Sequence, residues 1–329
     1  MSSDPAGFPH AAPGGVGLSF SLPTSVSVWI ARSLIQALGR LSFQSRWSLA
    51  CWLARRSLLH NEVLRELLTT NLSACLSELT ATQRNQLKRR NAEETMFALL
   101  DRFRLWSLPE AQLREQVQLV NGEILHSFVR RQPVVLLCPH FLGLEAAAQR
   151  LSLEVSAMTL YRPCRSAAFE SIRAAARQRF GVQHLFEVGG SLLPMIRRLR
   201  AGTPLFLLPD LDDGSESAVF STFFGVSAST APLTAWCAHR LGAVVLPISV
   251  VRESQGRYTV TVHEPMQPPS GDLLQDTHRV NAVVETLVRE QPDQYWWAQP
   301  RFATRPVGAQ PMYGPAVLQH AREAFGSAT

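Results

Sequence analysis

The chain has 329 residues, of which 46% are hydrophobic and 18% are charged, and its formal charge at pH 7 is +6. This balance supplies a substantial hydrophobic core and excludes an intrinsically disordered chain. Lys88 is the only lysine, so the positive charge comes almost entirely from arginine, whose guanidinium group matches pairs of phosphate oxygens. Nucleic acid, anionic lipid and an acidic carrier protein are all compatible with that charge.

Five cysteines are scattered along the chain, without the Cys-x-x-Cys spacing that is typical of zinc sites. We therefore expect neither a zinc site nor a disulfide framework, and we expect buried structural thiols in a reducing compartment. The five residues are Cys51, Cys75, Cys138, Cys164 and Cys237.

The N-terminal third is predicted to be a short tail followed by helices. Residues 1–23 lack the basic segment of a secretory signal and are predicted to form a flexible tail. Residues 24–131 contain few glycines, long stretches of helical periodicity and Pro109 as an internal break. These features predict a helical N-terminal region.

This helical region has a composition that is typical of helices at a membrane surface. Pro23 and Arg32 interrupt the most apolar window, so it falls short of the roughly 20 apolar residues that a membrane span requires. Residues 24–38 place apolar side chains on one helical face, and residues 45–59 combine tryptophans with arginines. We therefore predict helices that lie on an anionic membrane surface, with packing into an ordinary core as the alternative.

Short apolar runs of strand length begin after residue 131 and alternate with segments of helical periodicity. This alternation predicts an α/β fold for residues 132–306, with a mostly parallel central sheet flanked by helices. The segment 307–329 is weakly patterned and is predicted to be a C-terminal tail. The predicted strands lie near 133–138, 155–160, 182–188, 204–209, 243–251 and 258–263. The predicted helices lie near 143–153, 166–180, 190–200, 229–241 and 271–290.

A histidine and a carboxylate lie at the exit of the first predicted strand of this core. His140 follows the strand, and Glu145 comes five residues later. At this spacing the carboxylate is able to reach back to one ring nitrogen and stabilise the imidazolium that forms when the other nitrogen takes a proton. Activation of a hydroxyl group requires such a pair. The spacing alone is a weak signal, and a capping or packing role is the alternative.

Charged residues also follow other predicted strands, at the edge where parallel α/β folds usually carry their chemistry. Arg162 ends the second strand, Arg177 lies on the next helix, and Asp210 and Asp212 end the fourth strand. The Ser-Thr-Ala-Pro stretch at 229–232 is predicted to open a helix whose free N–H groups face a phosphate. Solubility and helix capping are the alternatives for single residues, but the joint occurrence indicates a site.

Five motifs follow one another in the order HFLGLE, YRP, PDLDDG, FFG and QYWWAQPRFATRP. This order resembles that of the late acyltransferases of bacterial lipid A biosynthesis, within the HxxxxD/E lysophospholipid acyltransferase superfamily. The resemblance extends over residues 29–308. It implies an α/β core with a membrane-associated helical part at the cytoplasmic face of the inner membrane. It also implies an acyl carrier protein (or CoA) thioester, a lipid acceptor, and no metal or other cofactor.

Carried over residue by residue, the resemblance implies that His140 is the general base and that Glu145 orients it. It places Arg162, Arg177 and Asp210 at positions that in the family contribute to catalysis or to phosphate binding. The chemistry that follows is acyl transfer to a hydroxyl group or an amine, without a nucleophile from the protein.

Some motifs depart from the family pattern. Leu211 stands where Gln or His is usual. Asp212, the next residue, matches the family pattern and is a predicted substrate-binding residue. The usual His-Arg-Arg-Phe-Lys stretch reads QPRFA, in which Arg301 is the predicted substrate-binding cation, and residues 164–166 replace a usual Asn-Pro-Leu. The acceptor therefore stays open between a lipid A precursor or related glycolipid, a lysophospholipid, an aminolipid and a specialised lipid. A non-catalytic, acyltransferase-like membrane-binding protein is a further alternative.

Three other classes of protein are disfavoured by missing motifs. An α/β-hydrolase needs a Gly-x-Ser-x-Gly elbow, and neither Ser191 nor Ser227 has the second glycine. A phosphate-binding NTPase needs a glycine-rich loop that ends in lysine, whereas Lys88 lies in the helical region. Aromatic-basic RNA signatures are missing, so we expect no nucleic-acid partner.

Overall fold

The computed structural model describes residues 33, 37–162, 166–181 and 183–325. The predicted tail at 1–23 and almost all of the predicted amphipathic face at 24–38 lie outside the described residues.

A seven-stranded sheet lies at the centre of the described chain, and a two-stranded hairpin accompanies it. The strands are β1 (Val117–Val120), β2 (Val134–Leu137), β3 (Met158–Tyr161), β4 (His184–Glu187), β5 (Leu205–Leu207), β6 (Val219–Phe223), β7 (Val226–Thr230), β8 (Val244–Arg252) and β9 (Tyr258–Val262). The order in the large sheet is β1-β9-β8-β2-β5-β3-β4, and β8 with β9 is its antiparallel pair. The predicted α/β class with a mostly parallel sheet is therefore confirmed.

Helices cover this sheet and form the N-terminal part of the described chain. They are α1 (Phe43–His60), α2 (Glu62–Cys75), α3 (Ala81–Leu105), α4 (Glu110–Gln116), α5 (Gly122–Phe128), α6 (Leu144–Ser152), α7 (Ala167–Arg177), α8 (Leu193–Arg200), α9 (Leu233–Leu241), α10 (Leu273–Glu290) and α11 (Pro315–Phe325). Within the described residues, no helix combines the length and the apolarity that crossing a membrane requires.

The pairing of two central strands, β2 and β5, brings together the residues that follow them. All four residues of β2 are buried, as expected for a strand with neighbours on both sides and helices on both faces. β2 pairs in parallel with β5, and the register places Leu137 beside Leu207. The carboxyl ends of the two strands therefore lie side by side, and the residues that follow them enter the same space.

Two local predictions are corrected by the fold. Residues 117–120 were predicted as part of the helical region but form β1, because they pair with β9, which is distant in sequence. Residues 229–232 were predicted to open a helix, yet Ser229 and Thr230 belong to β7, and α9 begins only at Leu233. The hairpin turn at Phe224-Gly225 has positive φ angles at both residues, which is the geometry of a type I′ turn.

The segment after residue 306, predicted as a weakly patterned tail, contains α11. Its Val317 and Ala321 side chains are buried, and the Gly314 N–H that precedes the helix donates to Glu66 on α2. The C-terminal part of the described chain is therefore packed against the N-terminal helices.

A buried polar network connects these N-terminal helices to the sheet. Arg46 on α1 forms an ion pair with Asp101 on α3, with 3.0 Å between Nε and Oδ1. The Tyr258 hydroxyl of β9 donates to the same carboxylate at 2.8 Å. The N-terminal helices and the sheet are therefore joined by a buried polar network.

Candidate active site

His140 lies just beyond β2, and Asp210 lies just beyond the neighbouring strand β5. The Nδ1 atom of His140 is 2.8 Å from Asp210 Oδ1, and the backbone N–H of His140 donates to Asp210 Oδ2 at 2.8 Å. The Asp210 side chain is fully buried, whereas the His140 side chain is 15% exposed. The buried Asp210 carboxylate therefore holds the partly exposed His140 ring through its Nδ1 atom.

The groups around Asp210 keep it ionised. Burial raises the pKa of Asp210, but the interactions with His140 and the hydrogen bond from Tyr295 outweigh burial and bring the pKa below its usual value. Gln299 Nε2 donates to the Tyr295 hydroxyl oxygen at 2.8 Å, so the Tyr295 hydrogen is available to Asp210. Burial and the nearby Asp210 raise the pKa of Tyr295 far above its usual value, and this donor stays protonated.

The carboxylate determines the tautomer of the His140 ring. An ionised Asp210 offers only acceptor atoms, so Nδ1 carries the hydrogen and the lone pair lies on Nε2. When Nε2 takes a proton, the buried carboxylate stabilises the imidazolium that forms. The pair is therefore suited to act as a general base toward a hydroxyl group.

Residues 294–297 run beside the His140 loop and help to position it. Phe141 and Tyr295 form an antiparallel bridge, and the Trp296 N–H donates to the His140 carbonyl at 2.9 Å. Tyr295 points into the core, whereas the Trp296 ring lies 5.7 Å from the His140 ring between centroids. The YWW motif thus supplies both the donor to Asp210 and the ring beside the base.

Two buried asparagines of the N-terminal helices hold the same segment. Asn71 Nδ2 on α2 donates to two backbone carbonyls within residues 297–299, both at 2.7 Å. Asn91 Nδ2 on α3 donates to two carbonyls within residues 293–295, at 2.9 and 2.6 Å. The sequence patterns did not identify either residue, although an amide on the buried face of a helix is the signal that was available.

The Glu145 carboxylate hydrogen-bonds to Trp106 and Arg177, whereas its sequence spacing predicts the His140 ring as its partner. Its carboxylate accepts from the Trp106 indole N–H at 2.8 Å and from Arg177 at 3.3 Å. The predicted pairing of Glu145 with the His140 ring is corrected, because Asp210 takes Nδ1 and Glu145 is directed toward α7 and the end of α3. Burial raises the pKa of Glu145, but Arg177 and Trp106 outweigh burial and lower it.

Two of the three arginines predicted to bind substrate follow the same strand, β3. Arg162 comes directly after the strand and is exposed, and its carbonyl accepts a hydrogen bond from Arg173 at 2.9 Å. Arg177 is the last residue of α7 and forms an ion pair with Glu145. Arg162 therefore presents its charge to solvent, whereas Arg177 is held in place by a carboxylate.

Asp212 and Arg301, also predicted to bind substrate, bind protein groups instead. Asp212 accepts from the backbone N–H and the hydroxyl of Thr304, at 3.1 and 2.7 Å. Arg301 is 2% exposed and donates to the carbonyls of Leu211 and Ser229, at 3.0 and 2.5 Å. The prediction is corrected: these residues connect the loop after β5 to the C-terminal segment.

Replacement of Arg301 by methionine is expected to lower the free energy of unfolding by about 2–4 kcal/mol, because buried carbonyl groups lose their donor. Denaturant unfolding measures this loss. The matched control is Arg289→Met, at a side chain that is 47% exposed and paired with Glu78, where we expect a loss below about 1 kcal/mol. Equal losses in the two variants would contradict the anchoring role of Arg301.

Comparison with known proteins assigns the chain to a family. The family described as bacterial lipid A biosynthesis acyltransferase matches residues 17–304 of the chain. The chain belongs to this family. It is therefore an acyltransferase, and both His140 and Asp210 lie inside the matched region.

Individual members of the family show the extent of the similarity. The chain is 25% identical to the lipid A biosynthesis lauroyltransferase of Escherichia coli (strain K12) over 289 residues, which cover 87% of this chain and 94% of that protein. It is 25% identical to the palmitoleoyltransferase of the same strain, over 74% of this chain and 80% of that protein. A lipid A biosynthesis acyltransferase of Haemophilus influenzae is 26% identical, over 88% and 92%. The resemblance inferred from the motifs is confirmed.

Proposed function

We propose that this acyltransferase moves a fatty acyl chain from an acyl carrier protein (or CoA) thioester to a hydroxyl group of a lipid A precursor or a related glycolipid. The observation that carries the proposal is the His140–Asp210 pair, in which a buried carboxylate leaves Nε2 as the basic nitrogen. Membership of the family and the similarity to lauroyl- and palmitoleoyltransferases of lipid A biosynthesis support the substrate class.

The proposed reaction needs one proton acceptor and no covalent protein intermediate. The acceptor hydroxyl donates its hydrogen to His140 Nε2 while its oxygen attacks the thioester carbonyl carbon. The tetrahedral intermediate then expels the thiolate, which takes the proton back from the imidazolium. Asp210 stays ionised throughout and stabilises the positive ring between these two steps.

Two arginines at the same end of the sheet share a proposed role in phosphate binding. Arg162 is exposed after β3, and we assign it to a phosphate group of the acceptor or donor. Arg177 contributes to the same binding and is positioned by Glu145, which in turn is held by Trp106. Glu145 is therefore a positioning residue for Arg177 in this proposal.

Replacement of Glu145 by glutamine separates binding from chemistry. The amide oxygen still accepts from Trp106, but Arg177 loses its countercharge, so we expect KM to rise about tenfold and kcat to change by less than about threefold. Steady-state kinetics on both substrates measure the two effects. A fall in kcat as large as that of Asp210→Asn would instead show that Glu145 acts together with His140 in the chemical step.

The proposed activity is tested with defined acyl donors and acceptors. Purified full-length protein is incubated with lauroyl, myristoyl or palmitoleoyl thioesters of acyl carrier protein, and with the same chains on CoA. A lipid A precursor and a lysophospholipid serve as competing acceptors, and mass spectrometry identifies the acylated product. We expect acylation of the lipid A precursor; exclusive acylation of the lysophospholipid, or no product in any arm, would refute the proposed acceptor.

We further propose that the protein is peripheral to the cytoplasmic face of the inner membrane. Trp52 and Leu59 on α1 are 58% and 70% exposed, and they are seven residues apart, on one face of the helix. Arg55 and Arg56 are exposed between them, and α1 contains no acidic residue. An apolar stripe with arginines suits insertion among anionic lipid headgroups.

Sedimentation with lipid vesicles tests this membrane surface. We expect phosphatidylglycerol vesicles to bind the protein, and the double variant Trp52→Ser, Leu59→Ser to bind about fivefold less. Leu274→Ser is the matched control, because Leu274 is 44% exposed on a different helix, α10. If the control loses as much binding as the double variant, α1 is not the membrane surface.

A further inference from the structure

A cleft of about 800 Å³ lies where the C-terminal end of α3, the start of α4 and one face of α7 meet. Trp106 and Leu108 line it on the first side, and Ile172 and Ala175 line it from α7. Sites for small molecules have volumes of about 300–1,000 Å³, so the cleft is large enough for a ligand well beyond the size of a single ion.

The charged side chains that line this cleft are all positive among the described residues. Arg40, Arg104 and Arg179 line it, and none of its described lining residues carries a carboxylate. Arg179 is fixed by protein groups, because its guanidinium donates to the carbonyls of Trp106 and Leu108 after the end of α3. This contact holds one positive charge permanently in the wall.

Arg104 has one hydrogen-bond donor without an acceptor in the described part of the chain. Its Nη2 atom donates to Gln116 Oε1 at 3.0 Å, whereas Nη1 is buried and has no acceptor in the described part of the chain. Gly39 packs closely here, since a Cβ added to it would lie 3.4 Å from the Arg104 Cα atom. The close approach brings the neighbouring Arg40 to the same wall, so Arg40 and Arg104 line the cleft together.

The Trp106 side chain links the cleft to Glu145, near the candidate active site. Trp106 lines the cleft and donates its indole N–H to Glu145 in the first turn of α6. That turn begins only a few residues after His140. Trp106 therefore contacts both the cleft and the first turn of the helix that follows His140.

We propose that this cleft binds the phosphate group of an amphiphile. Arg40 and Arg104 hold the phosphate oxygens, because guanidinium groups form paired, charge-assisted hydrogen bonds to them. Trp106, Leu108 and Ile172 contact the apolar part of the same molecule. The inference rests on the proposed function, since a phosphorylated lipid substrate presents both kinds of group at once.

The test measures binding without turnover, in the full chain that carries His140→Ala. Isothermal titration calorimetry is performed with dodecyl phosphate below its critical micelle concentration, with inorganic phosphate and with dodecyl maltoside. We expect dodecyl phosphate to bind most tightly, and Arg104→Gln to raise its Kd at least about tenfold. Arg40→Gln is expected to raise Kd about threefold or more.

Arg89→Gln is the matched control for these variants. Arg89 is exposed on the same helix as Arg104, about 22 Å away along the helix axis, and its replacement should leave Kd unchanged. Thermal unfolding verifies that Arg104→Gln is folded. Arg40→Gln changes an exposed side chain and provides a second variant that leaves the core intact.

Three results would overturn the inference. They are an unchanged Kd in both cleft variants, dodecyl maltoside binding as tight as that of dodecyl phosphate, and inorganic phosphate binding as tight as that of dodecyl phosphate. The acyl-transfer assay on protein with an intact His140 decides the proposed function separately. The two proposals therefore fail through different measurements.

Discussion

Replacing His140 with alanine is expected to lower kcat/KM for acyl transfer by about 10²–10⁴-fold, because general-base catalysis contributes an acceleration of that size. The change also removes the ring partner of the fully buried Asp210, so the melting temperature is expected to fall, and the rates are compared at a temperature where both proteins are folded. Initial rates with a carrier thioester and a thermal unfolding curve on the same preparation measure both effects.

The matched control for this experiment is His239→Ala. His239 is exposed on α9, and its replacement is expected to leave the rate at the wild-type level. If His140→Ala retained more than a few per cent of the wild-type kcat/KM while the control was normal, His140 would not be the general base.

Replacing Asp210 with asparagine is expected to lower kcat by about 10²–10⁴-fold with little change in KM. The amide offers one acceptor where the carboxylate accepts from the His140 backbone N–H, from Nδ1–H and from Tyr295. The imidazole is then no longer held with its lone pair on Nε2, and the imidazolium loses its countercharge. Steady-state kinetics with saturating acceptor measure kcat, and an unchanged kcat would refute the role of Asp210.

The same variant reports how Asp210 affects stability. Burial opposes the shift, but His140 lowers the pKa of Asp210 below its usual 3.8 in the folded protein. A carboxyl group of this kind contributes stability that is fully present above about pH 5 and is lost as pH falls through the folded-state pKa. We therefore expect the melting temperature of the wild type to fall more steeply than that of Asp210→Asn below about pH 4. Parallel curves would contradict this linkage.

Local sequence patterns were sufficient for the strands and helices of the α/β core. Short apolar runs predicted β2, β3, β4, β5, β8 and β9. In β2, β5 and most of β8 the reason is burial on both faces, which needs apolar residues throughout. The patterns were insufficient for β1 and for the β6–β7 hairpin. Residues 117–120 form a strand only because β9 pairs with them, and such a partner is not visible in a local window.

The candidate site, like the fold, was predictable from the sequence only in part. The sequence by itself determined that His140 and Asp210 follow strands, and that a tyrosine and two tryptophans lie together near the C-terminal end of the core. Only the tertiary structure decided that β2 and β5 are neighbours in register, which makes Asp210 the partner of Nδ1. A five-residue spacing does not determine where Glu145 points, because its direction depends on the start of α6 and on the groups packed against that turn. Hydrogen bonds depend on distances in space, and those distances are determined by how the strands and helices pack.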